Sequence, residues 1–342
     1  MNHDHRSPSA HALAHPRHDQ SAPGRELAGR RVLLSGARGF IGSHLIGCLI
    51  AAGAEVHALI RPHDPIPAQH LGLAARRRVT WHRCDLADPD AVLSTTLDVG
   101  PEVVLHLASR VQGHRDLALV LPMLEDNTRA AVNVMTAARR AEVERVVLAG
   151  SVEEPHGADE VPCSPYAAAK AATTGYARLF ADQWDLPVTV LRLAMVYGPG
   201  QTDARKLLPH VCINLLDGRV PPLGSGSRPI DWVYIDDVCD AFLTAASRPH
   251  PAGLVADVGS GVGTTVAASV ELLAAIADYR GDLGFGQIED RRNDVARIAD
   301  LTAAARGLGW SPRTGLRDGL ARTLEWHRAR RAGAGREMEA VS

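Results

Sequence analysis

The stretch from Arg31 to Ser43, RVLLSGARGFIGS, constrains the fold more than any other part of the chain. A short apolar run ends in Gly36, Gly39 and Gly42, and an amphipathic helical pattern follows. Gly36 permits a tight turn, Gly39 lets the main chain approach a pyrophosphate without a Cβ in the way, and Gly42 lets the helix pack closely on its strand. The first N–H groups of that helix then face an anion. The stretch predicts a strand, a phosphate-binding turn and a helix; a purely structural turn is the alternative, since G-x-x-G-x-x-G matches the generic dinucleotide pattern only in part.

Strand-like apolar runs alternate with longer helical patterns from Arg31 onward. Short, nearly continuous apolar strands separated by helices indicate an α/β fold with a parallel sheet covered on both faces. Ligands of such sheets bind at the carboxyl ends of the strands, so the residues there are the candidates for a site. The predicted strands lie near residues 31–35, 55–60, 79–84, 102–107, 144–150 and 187–194, and the predicted helices near 40–53, 88–98, 117–141 and 164–184.

The segments before and after this alternating region do not follow the same pattern of strands and helices. Residues 1–28 are rich in His, Pro, Ser and Ala and have no apolar h-region, so they predict a disordered tail rather than a secretory signal. A solvated tail is also favoured over a metal site for its histidines. Beyond Gly198 we expect a helix near 203–217, an extended run at 230–235, helices near 265–279 and 315–331, and a second disordered tail over 331–342.

Composition narrows the class of protein. The 342 residues carry a formal net charge of -2 with dispersed basic residues, which gives no reason to expect a nucleic-acid partner. The five cysteines are scattered without C-x-x-C spacing, which fits neither a disulfide scaffold nor a zinc site and indicates a reducing compartment. No apolar stretch reaches the roughly 18 residues that span a bilayer, so we expect a cytoplasmic protein with no membrane partner.

The end of the second predicted strand bears on the choice of cofactor. Proteins that prefer NAD usually carry an acidic residue there, which accepts a hydrogen bond from the ribose 2′-OH, whereas this chain has Arg61. A guanidinium suits a 2′-phosphate, and Arg38 inside the glycine turn has the same chemistry. Together they favour NADP, with NAD as the alternative. The alternative is that both arginines are solvated surface residues with no ligand role. Asp64 is a further candidate to contact the ribose.

Two further strand ends contribute cofactor candidates. Asp85 is placed either to accept a hydrogen bond from the adenine amino group or to cap the following helix. After the fourth strand, Leu107, Ala108 and Ser109 would let the backbone pass close to the phosphates and ribose. The complete predicted cofactor set is Gly36, Arg38, Gly39, Phe40, Ile41, Gly42, Arg61, Asp85, Leu86, Leu107, Ala108, Ser109, Tyr166 and Lys170.

Ser151, Tyr166 and Lys170 carry the predicted chemistry. Ser151 follows an apolar run at a strand end, and the other two are four positions apart on one helix face. A phenol of ordinary pKa, about 10, is a poor acid-base catalyst at neutral pH, and we expect the Lys170 cation to lower that pKa. Ser151 would donate a hydrogen bond to the same substrate oxygen and polarise the carbonyl. Hydride would pass between a nicotinamide and the carbonyl carbon.

These motifs together resemble one known family. The turn GARGFIGSHL, the HLA after the fourth strand, Ser151, SPYAAAK at 164–170, VYGPGQ at 196–201 and DWVYIDDV at 231–238 are similar to the extended short-chain dehydrogenase/reductase superfamily, in its NAD-dependent epimerase/dehydratase branch. The likeness covers about residues 30–330, and its closing segment at 308–328 looks like the end of nucleotide-sugar-modifying members. It implies a Rossmann doubly wound parallel sheet over 29–195, a smaller C-terminal substrate-binding domain over most of 196–330, and a homodimer through paired helices.

The resemblance also implies a nucleotide diphosphate sugar as the substrate. Arg228 and either Arg291 or Arg292 would contact the substrate diphosphate, with surface salt bridges to neighbouring aspartates as the alternative. Lys206 makes the same region locally basic, which suits an anionic substrate.

Departures from the family pattern concern the substrate side of the site. Met195 stands where many epimerases and dehydratases have an asparagine that contacts the nucleotide sugar, and Pro155-His156 replaces the usual tyrosine. Val152 stands where a sugar 4,6-dehydratase has an acid, although Glu153 matches the position of the base. The alternative for Glu153 and Glu154 is that both are solvated loop charges.

Three functions fit these residues. The first is an NADP-dependent ketoreductase acting on a nucleotide-linked keto-deoxysugar, since cells hold NADPH largely reduced. The second is a cofactor-retaining epimerase or dehydratase, supported by the branch and by Glu153. The third is a non-catalytic NADP-binding regulator, which the intact Tyr166 and Lys170 disfavour. A reductase of a non-sugar carbonyl is a further variant, because Met195 makes the pocket more apolar.

Overall fold

The computed structural model describes residues 24–66, 78–157, 159–290 and 296–339. Most of the expected N-terminal tail, residues 1–23, lies outside those ranges. The end of that segment is not a tail, because Arg25–Leu27 form a 3₁₀ turn and Leu27 is fully buried in the core. The folded unit therefore begins before the expected boundary at residue 29.

A parallel sheet of seven strands forms the centre of the molecule. Its strands are Arg31–Ser35 (β1), Glu55–Ile60 (β2), Val79–Arg83 (β3), Val103–His106 (β4), Arg145–Ser151 (β5), Val188–Leu193 (β6) and Leu254–Val258 (β9). Their order is β3-β2-β1-β4-β5-β6-β9, and every pairing is parallel. The predicted Rossmann sheet is thus confirmed, with each predicted strand present. The order reverses between β1 and β4, where doubly wound sheets bind their ligands.

Ten α-helices flank the strands within the part of the chain that the structure describes. They are Phe40–Ala51 (α1), Pro89–Val99 (α2), Val120–Met123 (α3), Ala130–Arg140 (α4), Pro165–Trp184 (α5), Leu207–Leu216 (α6), Ile235–Ser247 (α7), Val266–Ala277 (α8), Thr302–Leu308 (α9) and Leu316–Glu339 (α10).

Two helical predictions need correction. The continuous helix predicted over 117–141 is instead a 3₁₀ turn at Leu117–Leu119, the short α3, a π-helical turn at Leu124–Arg129 and α4. Pro122, which has no backbone N–H to donate, lies within α3. The tail expected over 331–342 is helical as far as Glu339, because its Ala- and Arg-rich sequence favours continuation of α10.

The core is divided between the two faces of the sheet. Alternate residues of a strand point to opposite faces. Val32 and Leu34 of β1 therefore enter one hydrophobic cluster, and Leu33 enters the other. The first cluster includes residues of α1 and α7, and the second includes residues of α2, α4 and α5. Burial on both faces holds the strand ends, and hence the site, in fixed positions.

The C-terminal part of the chain forms a second, smaller sheet, and we call this sheet together with the helices beside it the C-terminal lobe. Met195–Tyr197 (β7), Pro229–Tyr234 (β8) and Gly263–Thr265 (β10) form a second sheet, with β7 parallel and β10 antiparallel to β8. Buried Asp231 of β8 accepts hydrogen bonds from the N–H groups of Ser260 (2.6 Å) and Ala299 (3.0 Å). These bonds hold the loop after β9 and the segment before α9 against the small sheet. Helices α6, α8 and α10 pack on one another beside it.

Three features relate to the composition. Among the described residues, every helix is too short or too polar to cross a lipid bilayer. The same ranges contain no group of three or more His, Cys, Asp or Glu side chains that could hold a metal ion. All five cysteines are free thiols.

Candidate active site

The glycine turn brings three backbone segments into contact at the carboxyl end of β1. Gly36 has a φ of 75°, and a Cβ placed on it would lie 2.6 Å from the N atom of Ala108. A Cβ on Gly42 would lie 2.2 Å from the carbonyl oxygen of Gly36. Neither position can hold a side chain without moving backbone. Gly39 is the extended N-cap of α1 and provides no side-chain cap, so the turn is a cradle of backbone N–H groups that fits a pyrophosphate.

Ser35 fixes the end of β4 beside this turn. Its hydroxyl accepts hydrogen bonds from the N–H groups of Leu107 and Ala108, both at 3.2 Å. The same oxygen lies 2.8 Å from Nδ1 of buried His106. Burial, aided by the positive charge of Lys170, lowers the pKa of His106 to about 3, so the imidazole is neutral. The predicted cofactor residues 107–109 are therefore held close to the glycine turn.

Asparagines brace the next two loops. The side chain of Asn127 accepts from the N–H of Arg110 at 2.7 Å and from the Ser109 hydroxyl at 3.0 Å. Asn133 donates to the carbonyl oxygen of Leu86 at 2.9 Å. The π-helical turn contains Asn127, which is buried there.

Asp85 does not cap the helix that follows it. Its carboxylate accepts from the N–H of Ala87 at 3.0 Å within the loop. Asp88 instead caps α2, because its side chain accepts from the N–H groups of Asp90 and Ala91. The capping role predicted as one alternative for Asp85 is therefore wrong, and the other alternative, contact with the adenine, stays a prediction.

A charged cluster lies at the carboxyl end of β2. Arg38 of the glycine turn pairs with Asp64. The Arg61 side chain is 73% exposed, with its guanidinium 3.9 Å from the Asp126 carboxylate, which Arg110 binds at 2.7 Å. Arg38 and Arg61, which are predicted to bind a 2′-phosphate, thus both lie near strand ends, and each has an acidic neighbour.

Ser151, Tyr166 and Lys170 converge, as their spacing predicts. The Ser151 hydroxyl, at the end of β5, hydrogen-bonds the Tyr166 phenol in the first turn of α5. Ser164 caps that helix by accepting from the N–H of Ala167 at 3.1 Å. The Lys170 ammonium lies 5.8 Å from the centre of the Tyr166 ring and donates to the Ala149 carbonyl at 2.7 Å. Hydroxyl, phenol and ammonium thus lie together at the carboxyl end of β5.

The net shift of the Tyr166 pKa is opposite to the expected one, because it is upward. Burial and the neighbouring Glu153 raise the pKa of Tyr166 above its ordinary value, and the Ser151 hydrogen bond lowers it by less. The ammonium is bonded to the Ala149 carbonyl rather than to the phenol oxygen. Burial also lowers the pKa of Lys170 to about 8. The phenol is therefore protonated at neutral pH.

Glu154 is a residue whose position the sequence did not reveal. It is not a solvated loop charge, because it is only 2% exposed. Its carboxylate accepts from the Ser151 N–H at 2.8 Å and from the Thr174 hydroxyl at 2.7 Å. The signal in the sequence is Gly150, since a Cβ there would lie 2.8 Å from a Glu154 oxygen. Glu153, in contrast, is half-buried beside Tyr166.

The predicted substrate residues are spread over the C-terminal lobe. Met195 begins β7, two residues after Leu193, which pairs with Ser151 in the sheet, and it is 37% exposed. Lys206 is the N-cap of α6. Arg228 precedes β8 and contributes to lowering the pKa of Asp290, after the hydrogen bonds from Ser225. Arg291 and Arg292 lie outside the described residues. Of the predicted substrate residues that the structure describes, Met195 and Glu153 lie near the catalytic strand end, because the Glu153 N–H donates to the Ser151 hydroxyl at 3.2 Å.

Comparison with known proteins gives one consistent result. The family model for the NAD dependent epimerase/dehydratase family matches residues 32–258. The UDP-glucose 4-epimerase of Mycolicibacterium smegmatis is 33% identical over 317 residues, covering 87% of this chain and 98% of that protein. The dTDP-glucose 4,6-dehydratase of Streptomyces antibioticus is 32% identical over 320 residues, covering 88% and 93%. The solved structure of MoeE5 in complex with UDP-glucuronic acid and NAD is 31% identical, with a TM-score of 0.75 and coverage of 87% and 99%.

Substitution of Gly36 tests the backbone cradle. Gly36→Ala is expected to lower the free energy of unfolding by about 2 kcal/mol or more, because of the positive φ and the contact with Ala108. It should also abolish binding of a nicotinamide dinucleotide. Gly47→Ala is the matched control in α1, where a Cβ meets no atom within 4 Å. It should stabilise the protein by about 0.5–1 kcal/mol and leave binding unchanged. Urea unfolding and fluorescence titration with NADPH measure both effects, and equal behaviour of the two variants would contradict the assignment.

Proposed function

Because the chain belongs to the NAD dependent epimerase/dehydratase family, we propose that it carries out nicotinamide-dependent oxidation and reduction at a ring carbon of a nucleotide-activated sugar. The observation that carries this proposal is the contact of Ser151 with Tyr166 beside Lys170, at the carboxyl end of the sheet and next to the glycine cradle. UDP-sugar and NAD in the MoeE5 complex support the pairing of these two ligands. The C-terminal lobe, which includes most of residues 196–330, would hold the sugar nucleotide.

Each residue of this set has a separate part in the proposed reaction. Ser151 orients the substrate oxygen by a hydrogen bond. Tyr166, protonated at neutral pH, donates its proton to that oxygen when the carbon is reduced, and accepts one in the reverse direction. The Lys170 charge stabilises the phenolate that is left. When bound, the nicotinamide supplies or accepts the hydride.

Net reduction by NADPH is the first candidate outcome. The observation that favours it is the placement of Arg38 and Arg61 at the end of β2, where a guanidinium suits a 2′-phosphate. A protonated phenol also suits the reductive direction, in which the substrate oxygen gains a proton. The substrate would be a keto-deoxysugar attached to a nucleoside diphosphate.

Cofactor-retaining epimerisation is the second candidate. The similarity to a UDP-glucose 4-epimerase and to a dTDP-glucose 4,6-dehydratase supports a reaction of this cofactor-retaining kind. Removal and return of a hydride at one ring carbon asks for no acid beyond Tyr166. A 4,6-dehydratase is less well supported, since elimination of water needs an acid and a base, and Val152 occupies the position of the acid.

The proposed reduction makes a quantitative prediction about the cofactor. With a 4-keto nucleotide sugar the protein is expected to consume one NADPH for each product molecule, measured as loss of absorbance at 340 nm, since an epimerase would return its cofactor unchanged. Tyr166→Phe should lower turnover by about a thousandfold or more through loss of the proton donor, while NADPH affinity is retained.

Tyr176→Phe is the matched control for this variant, because Tyr176 lies on the same helix and is 43% exposed. Its turnover should equal that of the unmodified protein. Product formation without loss of NADPH would favour the epimerase, and an unchanged rate in Tyr166→Phe would remove the phenol from the mechanism.

Cofactor choice is tested at the end of β2. Arg61→Asp is expected to weaken NADP binding by about tenfold to a hundredfold, since a charge-assisted contact to the 2′-phosphate is replaced by repulsion. NAD binding should change little. The parallel variant Asp64→Asn should leave NADP binding intact. If Asp64→Asn weakened NAD binding while Arg61→Asp changed the binding of neither cofactor, we would conclude that Asp64 rather than Arg61 contacts the ribose.

We also propose that the protein is a homodimer. The segment 117–129 and α5 pack side by side, and their outer surface exposes large apolar side chains. A groove of about 570 Å³ runs between them. Apolar patches of this kind mark interaction sites in soluble proteins, and a second copy would cover this one. We call the patch the apolar face; it consists of Leu117, Val120, Leu121, Leu124, Tyr176 and Leu179.

A charge on the apolar face should separate the dimer. Leu121→Glu is expected to convert the protein from dimer to monomer in light scattering at micromolar concentration, because a carboxylate would be buried without a partner. Leu97→Glu is the control, since Leu97 is 55% exposed on α2, away from this face. It should remain a dimer. A monomeric unmodified protein would contradict the proposal directly.

A further inference from the structure

Glu154 joins the two elements that carry the catalytic residues. It lies in the turn after β5 and is 2% exposed. One carboxylate oxygen accepts from the Ser151 N–H at 2.8 Å. The other accepts from the hydroxyl of Thr174, two turns beyond Tyr166 on α5, at 2.7 Å. A single buried side chain therefore spans from the strand that ends in the serine to the helix that bears the phenol and the ammonium.

The charges around this carboxylate come from three elements. Lys170 and Tyr166 face it from α5, and Arg192 faces it from β6. Arg192 already binds Asp257 at 2.6 Å, so much of its charge is balanced elsewhere. Lys170, in turn, faces neutral His106 of β4 and has Glu154 as its acidic neighbour. The arrangement brings one buried cation and one buried anion close together.

We propose that Glu154 is a positioning residue, whose carboxylate clamps the Ser151 turn to α5 and balances the buried charge of the Lys170 ammonium. The catalytic meaning of this proposal rests on the proposed function, but the clamp and the charge balance do not. The neighbouring Glu153 does not share the role, because only the Glu154 carboxylate is fully buried.

The physical reason is the cost of isolated buried charges. A buried ammonium loses its hydration, and removing a nearby counter-charge favours the neutral amine. Burial lowers the pKa of Lys170 to about 8, and the negative charge of Glu154 opposes that effect. Without this charge the ammonium would lose its proton at a lower pH. Burial also raises the pKa of Glu154, so the charge balance requires that its hydrogen bonds and neighbouring cations keep the carboxylate ionised.

The lysine content of the chain makes the charge balance directly measurable. Lys170 and Lys206 are the only lysines among the 342 residues. In the full-length protein with ¹³C-labelled lysine, the two side-chain signals can be titrated by NMR without any substrate, and Lys206→Arg assigns them. Glu154→Gln keeps a hydrogen-bond acceptor for Ser151 but removes the charge. We expect it to move the Lys170 midpoint to lower pH by about one pH unit, with thermal unfolding near that of the unmodified protein.

Thr174→Val separates the charge from the clamp. It removes one hydrogen bond and keeps the carboxylate, so the Lys170 midpoint should stay near that of the unmodified protein. If Glu154→Gln does not fold, Glu154→Met, which keeps the side-chain volume, replaces it. An unshifted Lys170 midpoint in the charge-removing variant would overturn the proposal. Equal shifts in that variant and Thr174→Val would do the same, because displacement of α5 would then be the cause.

Turnover links the clamp to catalysis. In Glu154→Gln the alkaline limb of the pH-rate profile should move to lower pH by the same amount as the Lys170 midpoint. A change of kcat without any movement of that limb would indicate a purely structural role and overturn the proposal. Absence of turnover with every nucleotide sugar in the unmodified protein would instead refute the proposed function, while the Lys170 titration would still decide the role of Glu154.

Discussion

The contact between backbone segments at Gly36 and Gly42 is the constraint on which the site depends. The first turn of α1 lies against the carbonyl of Gly36, and the end of β4 lies against its Cα, at distances that leave no room for a Cβ. The Ser35 hydroxyl then ties the same turn to Leu107 and Ala108. Strand, turn, helix and neighbouring strand therefore form one rigid floor made of main chain, and an anion placed there meets N–H groups rather than side chains.

Buried charges form a second layer above this floor. Lys170 and Glu154 are buried near each other, and Arg192, whose charge also acts on Glu154, forms an ion pair with Asp257. In a low dielectric such groups affect one another more strongly than they would in water. This explains why the phenol of Tyr166 holds its proton, although a cation lies nearby on the same helix. Burial and the two glutamates outweigh the Ser151 hydrogen bond, so the phenol keeps its proton.

The sequence predicted periodic features well and side-chain partners poorly. The strands and the placement of Ser151 opposite Tyr166 follow from hydrophobic alternation and from a four-residue helical spacing, which are local properties. The π-helical turn at Leu124–Arg129 and the burial of Glu154 depend on long-range neighbours. Glu154 resembles any loop carboxylate until Thr174, twenty positions away, is brought against it. The same holds for the pKa of Tyr166, since spacing showed the lysine but not the stronger effect of burial.

Residues on the cofactor side and residues on the substrate side of the site bear on different aspects of the proposed reaction. In the proposed reaction, Ser151, Tyr166 and Lys170 would assist hydride transfer to or from the nicotinamide equally, so they do not distinguish a reductase from an epimerase. Two other factors would distinguish these reactions. One is the redox state of the cofactor that the cell supplies, and the other is the freedom of the sugar to turn over in the pocket. Arg38 and Arg61 bear on the first, because a 2′-phosphate selects a pool that is mostly reduced. Met195 bears on the second, because an apolar side chain beside Ser151 gives a polar sugar face no hydrogen bond by which to be held. The same catalytic centre can therefore serve different outcomes through changes that never touch the phenol.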